Sequence, residues 1–85
     1  MDLGLQGKRA AVAAGSAGLG LATAKALVAE GVQVAICGRD EARLARAVDG
    51  LGSRAVGIAA DVGQRTDAIR FVDEAADLLG GLDVL

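Results

Sequence analysis

The chain has few of the side chains that build most metal and nucleophilic sites. Its 85 residues contain no histidine, and Cys37 is its only cysteine. Neither a zinc cluster nor a Cys–His nucleophile can be built from this set, so we assign no metal ligand. A single cysteine also excludes an internal disulfide and is typical of a reducing compartment, and we expect a cytoplasmic protein.

An excess of one charge and long apolar runs are lacking as well. The formal net charge is −2, with acidic and basic residues interspersed. This balance argues against nucleic acid or an anionic membrane as a partner. No apolar stretch approaches the roughly 20 residues of a membrane-spanning helix. Aromatic residues make up 1% of the chain against 53% hydrophobic residues, so the core is predicted to consist of Ala, Val, Leu and Ile.

What the chain does contain is a regular alternation of two apolar patterns. Runs of small and β-branched residues predict buried strands at 8–13, 32–37, 54–60 and from 82 to 85. Segments rich in helix formers, two of them with a helical repeat of apolar residues, predict helices over 19–30, 41–51 and 64–79. Gly31 and Gly80 are expected to follow the ends of the first and third helices, and Asp40 to cap the start of the second.

This order of elements predicts an α/β fold with a doubly wound parallel sheet. The expected strand order is 3-2-1-4, with the first two helices on one face and the third on the other. The fourth strand stops at Leu85, so we expect the sheet to be truncated there. The carboxyl ends of the first three strands meet at one edge, where three separate stretches of chain can share a ligand.

The first of these stretches is the turn between the first strand and the first helix. A helix N-terminus presents unpaired N–H groups to an anion, and glycine lets the backbone approach closely. We expect a side chain at Gly18 to point toward the bound phosphates or the packed strand. The alternative is that small residues only make a tight turn here. The residues assigned to binding are Ala14, Gly15, Ser16, Ala17, Gly18, Leu19 and Gly20.

The glycine spacing of this turn narrows the choice of family. The pattern Gly-x-Gly-x-x-Gly fails at Thr23, and a Walker A motif is absent. The longer pattern Thr-Gly-x-x-x-Gly-x-Gly fits better, and in it the sequence resembles the short-chain dehydrogenase/reductase family. Gly18 and Gly20 match the last two glycines, whereas Ala13 and Ala14 replace the threonine and the first glycine. The resemblance covers the entire chain.

The second stretch, Gly38-Arg39, follows the second strand. In the family this is where an acidic side chain binds the adenosine ribose of NAD, and Gly38 stands there instead. Arg39 offers a planar fork of donors that suits a 2′-phosphate. We therefore expect NADP as the cofactor, with NADPH preferred over NADH. The alternative is that Arg39 is an ordinary surface residue, and Asp40 is interpreted only as a helix cap.

The third stretch is Asp61-Val62, directly after the third strand. The resemblance implies that the aspartate accepts a hydrogen bond from the adenine amine and that the following N–H reaches a ring nitrogen. The alternative is a turn aspartate that caps the next helix.

Family resemblance also implies what the whole protein does. Residues 1–85 correspond to the NAD(P)-binding Rossmann segment of an oxidoreductase that transfers hydride between NADPH and a carbonyl or alcohol substrate, as in 3-oxoacyl reductases. The family's catalytic Ser, Tyr and Lys follow this segment, and the chain contains no tyrosine. We therefore assign no catalytic residue and expect the 85-residue chain alone to be inactive. The resemblance further implies a homo-oligomer, a tetramer or dimer. The alternative is a stand-alone nucleotide-binding or interaction module.

Overall fold

The structure is a computed structural model that describes residues 7–12, 18–61 and 63–83, with the backbone alone for Leu19. Its helices and strands agree within one residue with the bounds predicted for them, apart from the fourth strand. They are β1 (Arg9–Val12), α1 (Gly18–Ala29), β2 (Gln33–Gly38), α2 (Glu41–Leu51), β3 (Ala55–Ala59) and α3 (Arg65–Leu79). No helix in the described ranges is long and apolar enough to cross a membrane.

The sheet is parallel, with β2 between β1 and β3. Arg9 pairs with Gln33 at the start of the ladder, and Gly38 pairs with Ala59 at its end. Parallel strands that are covered on both faces need an almost continuous apolar sequence. Residues 34–37 of β2 meet this requirement, because each of them is at most 1% exposed.

Two clusters of apolar side chains lie on opposite faces of the sheet. One joins Ala10, Val34 and Ile36 to residues of α1 and α2, such as Ala24 and Leu44. The other joins the alternate strand residues to α3. Its buried members are Ala11, Ala35, Cys37, Ile58, Ala60, Phe71 and Ala75. The predicted doubly wound arrangement, with the first two helices on one face and the third on the other, is therefore confirmed.

Phe71 is the α3 core residue that the sequence pattern does not identify. The pattern predicts burial of Ala68, Val72, Ala75, Ala76 and Leu79. Ala75 is indeed fully buried, the other four are half-buried, and Phe71 is only 3% exposed. The ring packs in the same cluster as Ala11 and Ala35, whose short side chains leave room for it above the sheet.

The end of α3 is held to the edge of β1 that faces away from β2. Arg9 donates from its backbone N–H and its Nε to Asp83 Oδ2, at 2.9 and 3.2 Å, and from Nη1 to the Gly80 carbonyl at 2.8 Å. The Asp83 N–H donates to the Arg9 carbonyl at 2.8 Å. The predicted fourth strand begins here, but Leu82 and Asp83 are not in a strand, and residues 84–85 lie outside the described residues.

Gly57 in β3 marks a close approach of α2 to the sheet. A Cβ atom at Gly57 would lie 2.9 Å from Val48 Cγ2 and 3.0 Å from Leu44 Cγ. Neither atom is at the end of a flexible side chain, and the β-branched valine has little rotamer freedom in a helix. Only glycine at this position allows the observed separation of helix and strand.

We expect Gly57→Ala to lower the free energy of unfolding by about 1–3 kcal/mol, because the added methyl group overpacks the contact with α2. The matched control is Gly50→Ala in α2, where a Cβ atom meets nothing within 4 Å. That change should be neutral or stabilise the protein by up to about 1 kcal/mol. Chemical denaturation of both variants tests this, and equal stabilities would contradict the close approach.

Stability should also depend on the charge of Asp83. The hydrogen bonds from the Arg9 guanidinium and then from the Arg9 N–H hold the pKa of Asp83 below its ordinary value of 3.8. Because the folded-state pKa is depressed, the stabilisation is complete above the unfolded value of about 3.9 and is lost as the pH falls through the lower folded-state pKa.

We therefore expect Asp83→Asn to lower the Tm at pH 7 and to change it progressively less below about pH 4, where the wild-type carboxyl is protonated too. Thermal melts across this pH range provide the measurement. Asp77→Asn is the control, since Asp77 is exposed on α3 and has no ion-pair partner among the described residues. A difference for Asp83→Asn that stayed constant with pH would rule out the charge as its cause.

Candidate functional site

The carboxyl ends of β2 and β3 and the first turns of α2 and α3 enclose an open cleft of about 530 Å³. The Ala60 N–H donates to the Gly38 carbonyl at 3.2 Å and so keeps the two strand ends together. Arg39 and Asp61, which the sequence assigns to the same ligand, both line the cleft. The remaining lining residues are Asp40, Glu41, Ala42, Ala59, Ala60 and Asp67.

Arg39 and Asp40 lie side by side at the end of β2 but have different environments. Asp40 Oδ1 accepts from the N–H groups of Ala42 and Arg43 at 3.0 and 3.1 Å, which confirms the predicted cap of α2. The bond from Arg43 is the largest reason why the pKa of Asp40 lies below its ordinary value of 3.8. Arg39 is exposed and has no ion-pair partner among the described residues. Its guanidinium is thus available to an anionic ligand.

Asp61 is half-buried at the end of β3, and its groups are partly engaged within the protein. Its Oδ1 accepts from the Gly63 N–H at 3.0 Å, so Asp61 forms a turn as the alternative states, but the N-cap of α3 is Gln64. In the described part of the chain no donor reaches its Oδ2. The carboxylate can therefore shape the turn with one oxygen and still accept a hydrogen bond from a ligand with the other. Val62 lies outside the described residues.

Two charged residues of α3 contact this segment, and neither is singled out by the sequence analysis. Asp67 Oδ2 accepts from the Asp61 N–H at 2.9 Å, and Arg70 Nη2 donates to the Ala59 carbonyl at 2.7 Å. The two side chains are 3.7 Å apart, and Arg70 also bonds Glu74 one turn further along. The sequence does contain a signal for this row of ion pairs. Asp67, Arg70 and Glu74 are spaced i, i+3 and i+7 with alternating charge, which places them next to one another on a helix.

The turn before α1 is described only from Gly18 onward. Ala14, Gly15, Ser16 and Ala17 lie outside the described residues. Gly18 is exposed with a φ of +62°, a left-handed conformation that favours glycine, and Gly20 is half-buried in the first turn of α1. A Cβ atom at Gly18 would meet no atom of the described chain within 4 Å. No contact with β1 is found among the described residues, the direction toward bound phosphates stays a prediction, and the positive φ favours glycine here.

Together these groups form a set of donors and acceptors that suits a nucleotide. The N-terminus of α1 can attract a phosphate, and the Arg39 guanidinium can bind a further one. Asp61 Oδ2, to which no donor of the described chain bonds, can accept a hydrogen bond from an amine. A metal ion finds no comparable set, because the described residues contain no group of three or more His, Cys, Asp or Glu side chains arranged to hold one. The residues present fit the adenosine end of a dinucleotide.

Known proteins share both the sequence pattern and this fold. A sequence model described as short chain dehydrogenase matches residues 8–85. A short chain dehydrogenase of Pseudocercospora fijiensis is 38% identical over 84 residues, which is 95% of this chain and 27% of that protein. Dehydrogenase/reductase SDR family member 4 of Oryctolagus cuniculus is 38% identical over 84 residues, or 95% of this chain and 32% of that protein.

A solved structure superposes on nearly all of the chain. It is the crystal structure of 3-ketoacyl-(acyl-carrier-protein) reductase from Brucella melitensis complexed with NADH, with a TM-score of 0.86 and 31% sequence identity. The match covers 94% of this chain and 33% of that one, so the chain spans between 27% and 33% of these relatives. Sequence and fold lead to the same result: the chain belongs to the short-chain dehydrogenase/reductase family.

Proposed function

We propose that residues 1–85 are the NADP(H)-binding segment of an oxidoreductase that transfers hydride between NADPH and a carbonyl or alcohol substrate, in the manner of a 3-oxoacyl reductase. The observation that carries the proposal is the cleft that Arg39 and Asp61 both line at the carboxyl ends of the strands, where Asp61 Oδ2 accepts no bond from the described chain. Ligands of open parallel sheets bind at this edge, where the strand ends of neighbouring βα units meet.

Each stretch of the site is assigned one part of the cofactor. Asp61 Oδ2 accepts from the adenine amine, and the Val62 N–H bonds a ring nitrogen. Gly38 and Arg39 receive the ribose 2′-phosphate. The turn before α1 and the first N–H groups of the helix hold the pyrophosphate, as helix N-termini hold anions. The residues assigned to this last role are Ala14, Gly15, Ser16, Ala17, Gly18, Leu19 and Gly20.

The preference for NADPH rests on the charges around Gly38. Glycine leaves space for a phosphate, and the arginine beside it has no carboxylate partner in the described chain. Charge-assisted hydrogen bonds contribute about 1.5–3 kcal/mol each, enough for a tenfold preference or more. The Brucella melitensis reductase was solved with NADH, which concerns that protein's complex and not the preference of this one.

Catalysis itself is assigned to the rest of the protein. The cofactor supplies the hydride, and this segment binds and orients the cofactor. Because the segment contains no tyrosine to act as the family's acid and base, we expect it to bind cofactor without turnover. By family, we propose a dimer or tetramer. Cys37 is the single cysteine of the chain and is buried, which fits a reducing cytoplasm.

The lack of tyrosine also favours a second candidate, a nucleotide-binding module that has no chemistry of its own. The intact mass of the native protein distinguishes the two. A chain of roughly 250 residues supports the reductase, because a single α/β domain of that size is ordinary. A native chain of 85 residues supports the module.

Cofactor choice should reverse when Gly38, the last residue of β2, and Arg39, which follows it, are both replaced. In Gly38→Asp/Arg39→Leu the new carboxylate can bond the ribose hydroxyls of NADH and repels a 2′-phosphate. In the intact protein we expect kcat/KM to favour NADPH in the wild type by at least about tenfold and NADH in the variant.

The control for this double substitution is Arg54→Gln. It removes an exposed arginine immediately before β3, at the amino ends of the strands and thus away from the cleft. It should leave the preference unchanged. If kcat/KM of the intact wild type for NADH equalled or exceeded that for NADPH, Arg39 would not be a determinant of 2′-phosphate recognition.

Cofactor binding should be lost in Gly18→Val. A β-branched residue is strained at a φ of +62°, so the turn and the first N–H groups of α1 would reorient away from the pyrophosphate. Fluorescence titration with NADPH measures the loss. Ala22→Val, at an exposed position one turn further along α1, is the control and should bind normally. Unchanged affinity in Gly18→Val would remove the turn from the site.

A further inference from the structure

We infer that Asp67, supported by Arg70, is a positioning residue for adenine recognition, an inference that rests on the proposed function. Asp67 lies in the first turn of α3 and lines the same cleft as Asp61. Its role is to hold the backbone that carries the Asp61 carboxylate, so that the carboxylate meets the adenine amine. Asp67 acts on the ligand through Asp61.

The need for such support arises where β3 ends. The strand ladder pairs Ala59 with Gly38, and the Ala60 N–H still reaches the Gly38 carbonyl. One residue later, no strand of the described chain pairs with the Asp61 N–H. Asp67 Oδ2 accepts from it at 2.9 Å in a partly buried position. A bond from an N–H to a carboxylate is stronger than a bond between neutral groups, and it fixes the peptide plane that precedes the Asp61 side chain.

Arg70 supplies a second anchor one turn further along α3. Its Nη2 donates to the Ala59 carbonyl at 2.7 Å and lies 3.7 Å from Asp67 Oδ1. The two charged side chains therefore hold a carbonyl and an N–H group of the same short segment. Because both anchors belong to one helix, the end of β3 keeps a constant position relative to α3.

The Asp61 side chain is constrained from the other side as well. Its Oδ1 accepts from Gly63 at 3.0 Å, while its N–H is held by Asp67. With its backbone N–H and its Oδ1 both bonded, the Asp61 carboxylate is restricted in its rotation at the lining of the cleft, and its Oδ2 accepts no bond from the described chain. Loss of the bond from the Asp61 N–H to Asp67 would allow the backbone before Asp61 to move, and Asp61 Oδ2 would then lose its fixed orientation. The effect would fall on the adenosine half of the cofactor and leave the nicotinamide half unaffected.

A simpler role for Asp67 is to stabilise α3. A carboxylate in the first helical turn interacts favourably with the helix dipole, and in a capping box it bonds the N-cap N–H. The N-cap of α3 is Gln64. Asp67 does not bond the N–H of this residue but that of Asp61, which precedes Gln64 by three residues. A role in helix stability would affect all ligands alike, so binding of two different ligands separates the two roles.

The experiment compares Asp67→Ala with Asp67→Asn in the full-length protein. Asparagine keeps an oxygen that can accept from the Asp61 N–H, and alanine removes it. Dissociation constants are measured by fluorescence for NADPH and for reduced nicotinamide mononucleotide, which has no adenosine. We expect Asp67→Ala to weaken NADPH about tenfold and Asp67→Asn to stay within about twofold of the wild type. Binding of the mononucleotide should be unchanged in both.

Asp73→Ala, an exposed position on the same helix, is the control and should bind both ligands normally. Arg70→Met, which removes the Ala59 anchor, provides the second variant should Asp67→Ala not fold, and it should show the same selective loss. Equal weakening of both ligands, or no weakening of NADPH in either folded variant, overturns the inference. A wild type that binds no dinucleotide overturns the proposed function as well, so the two failures are distinct.

Discussion

Strand β2 is paired on both edges and covered on both faces, and every described part of the candidate site takes its position from it. Its four central residues are at most 1% exposed, which leaves no room for a polar side chain between Gln33 and Gly38. The first polar side chain after that buried run is Arg39, at the point where the strand leaves the helical layers. The demands of the core thus place the basic group at the edge of the sheet where a ligand can reach it.

The lining of the cleft carries more negative than positive side chains, but most of the negative ones already have partners within the described chain. Four carboxylates and one arginine face it. Asp40 is bonded to the N–H groups of its own helix, and Asp67 to the Asp61 N–H and, more distantly, Arg70. Asp61 shares one oxygen with its turn. Three of the four carboxylates therefore bond N–H groups of the protein or approach Arg70, whereas Glu41 and Arg39 are exposed and have no ion-pair partner among the described residues. Arg39 is the one positive charge among the described lining residues, and it is available to attract an anionic ligand.

Local patterns in the sequence were sufficient to predict the helices and the first three strands. Helix and strand bounds agree within one residue because apolar periodicity and the end signals Asp40 and Gly80 are properties of short segments. Arg39 and Asp61 could be assigned to one site because parallel strands end at a common edge. The contact of Asp67 with Asp61 and the burial of Phe71 depend on how α3 lies on the sheet, which no short segment specifies.

The turn at Gly81 has a consequence for the order in which the contacts of the fold can form. The φ of this residue is +136°, and a Cβ atom there would lie 3.0 Å from Arg9 Nη1, so the chain turns closely around the guanidinium. That turn brings Asp83 to Arg9, 74 residues earlier in the sequence. Contacts between β1, β2 and β3 span much shorter loops and need less closure entropy. During synthesis the outer edge of β1 therefore stays open until almost all of these residues have left the ribosome, and the Arg9–Asp83 bond is the last of the described contacts to become possible.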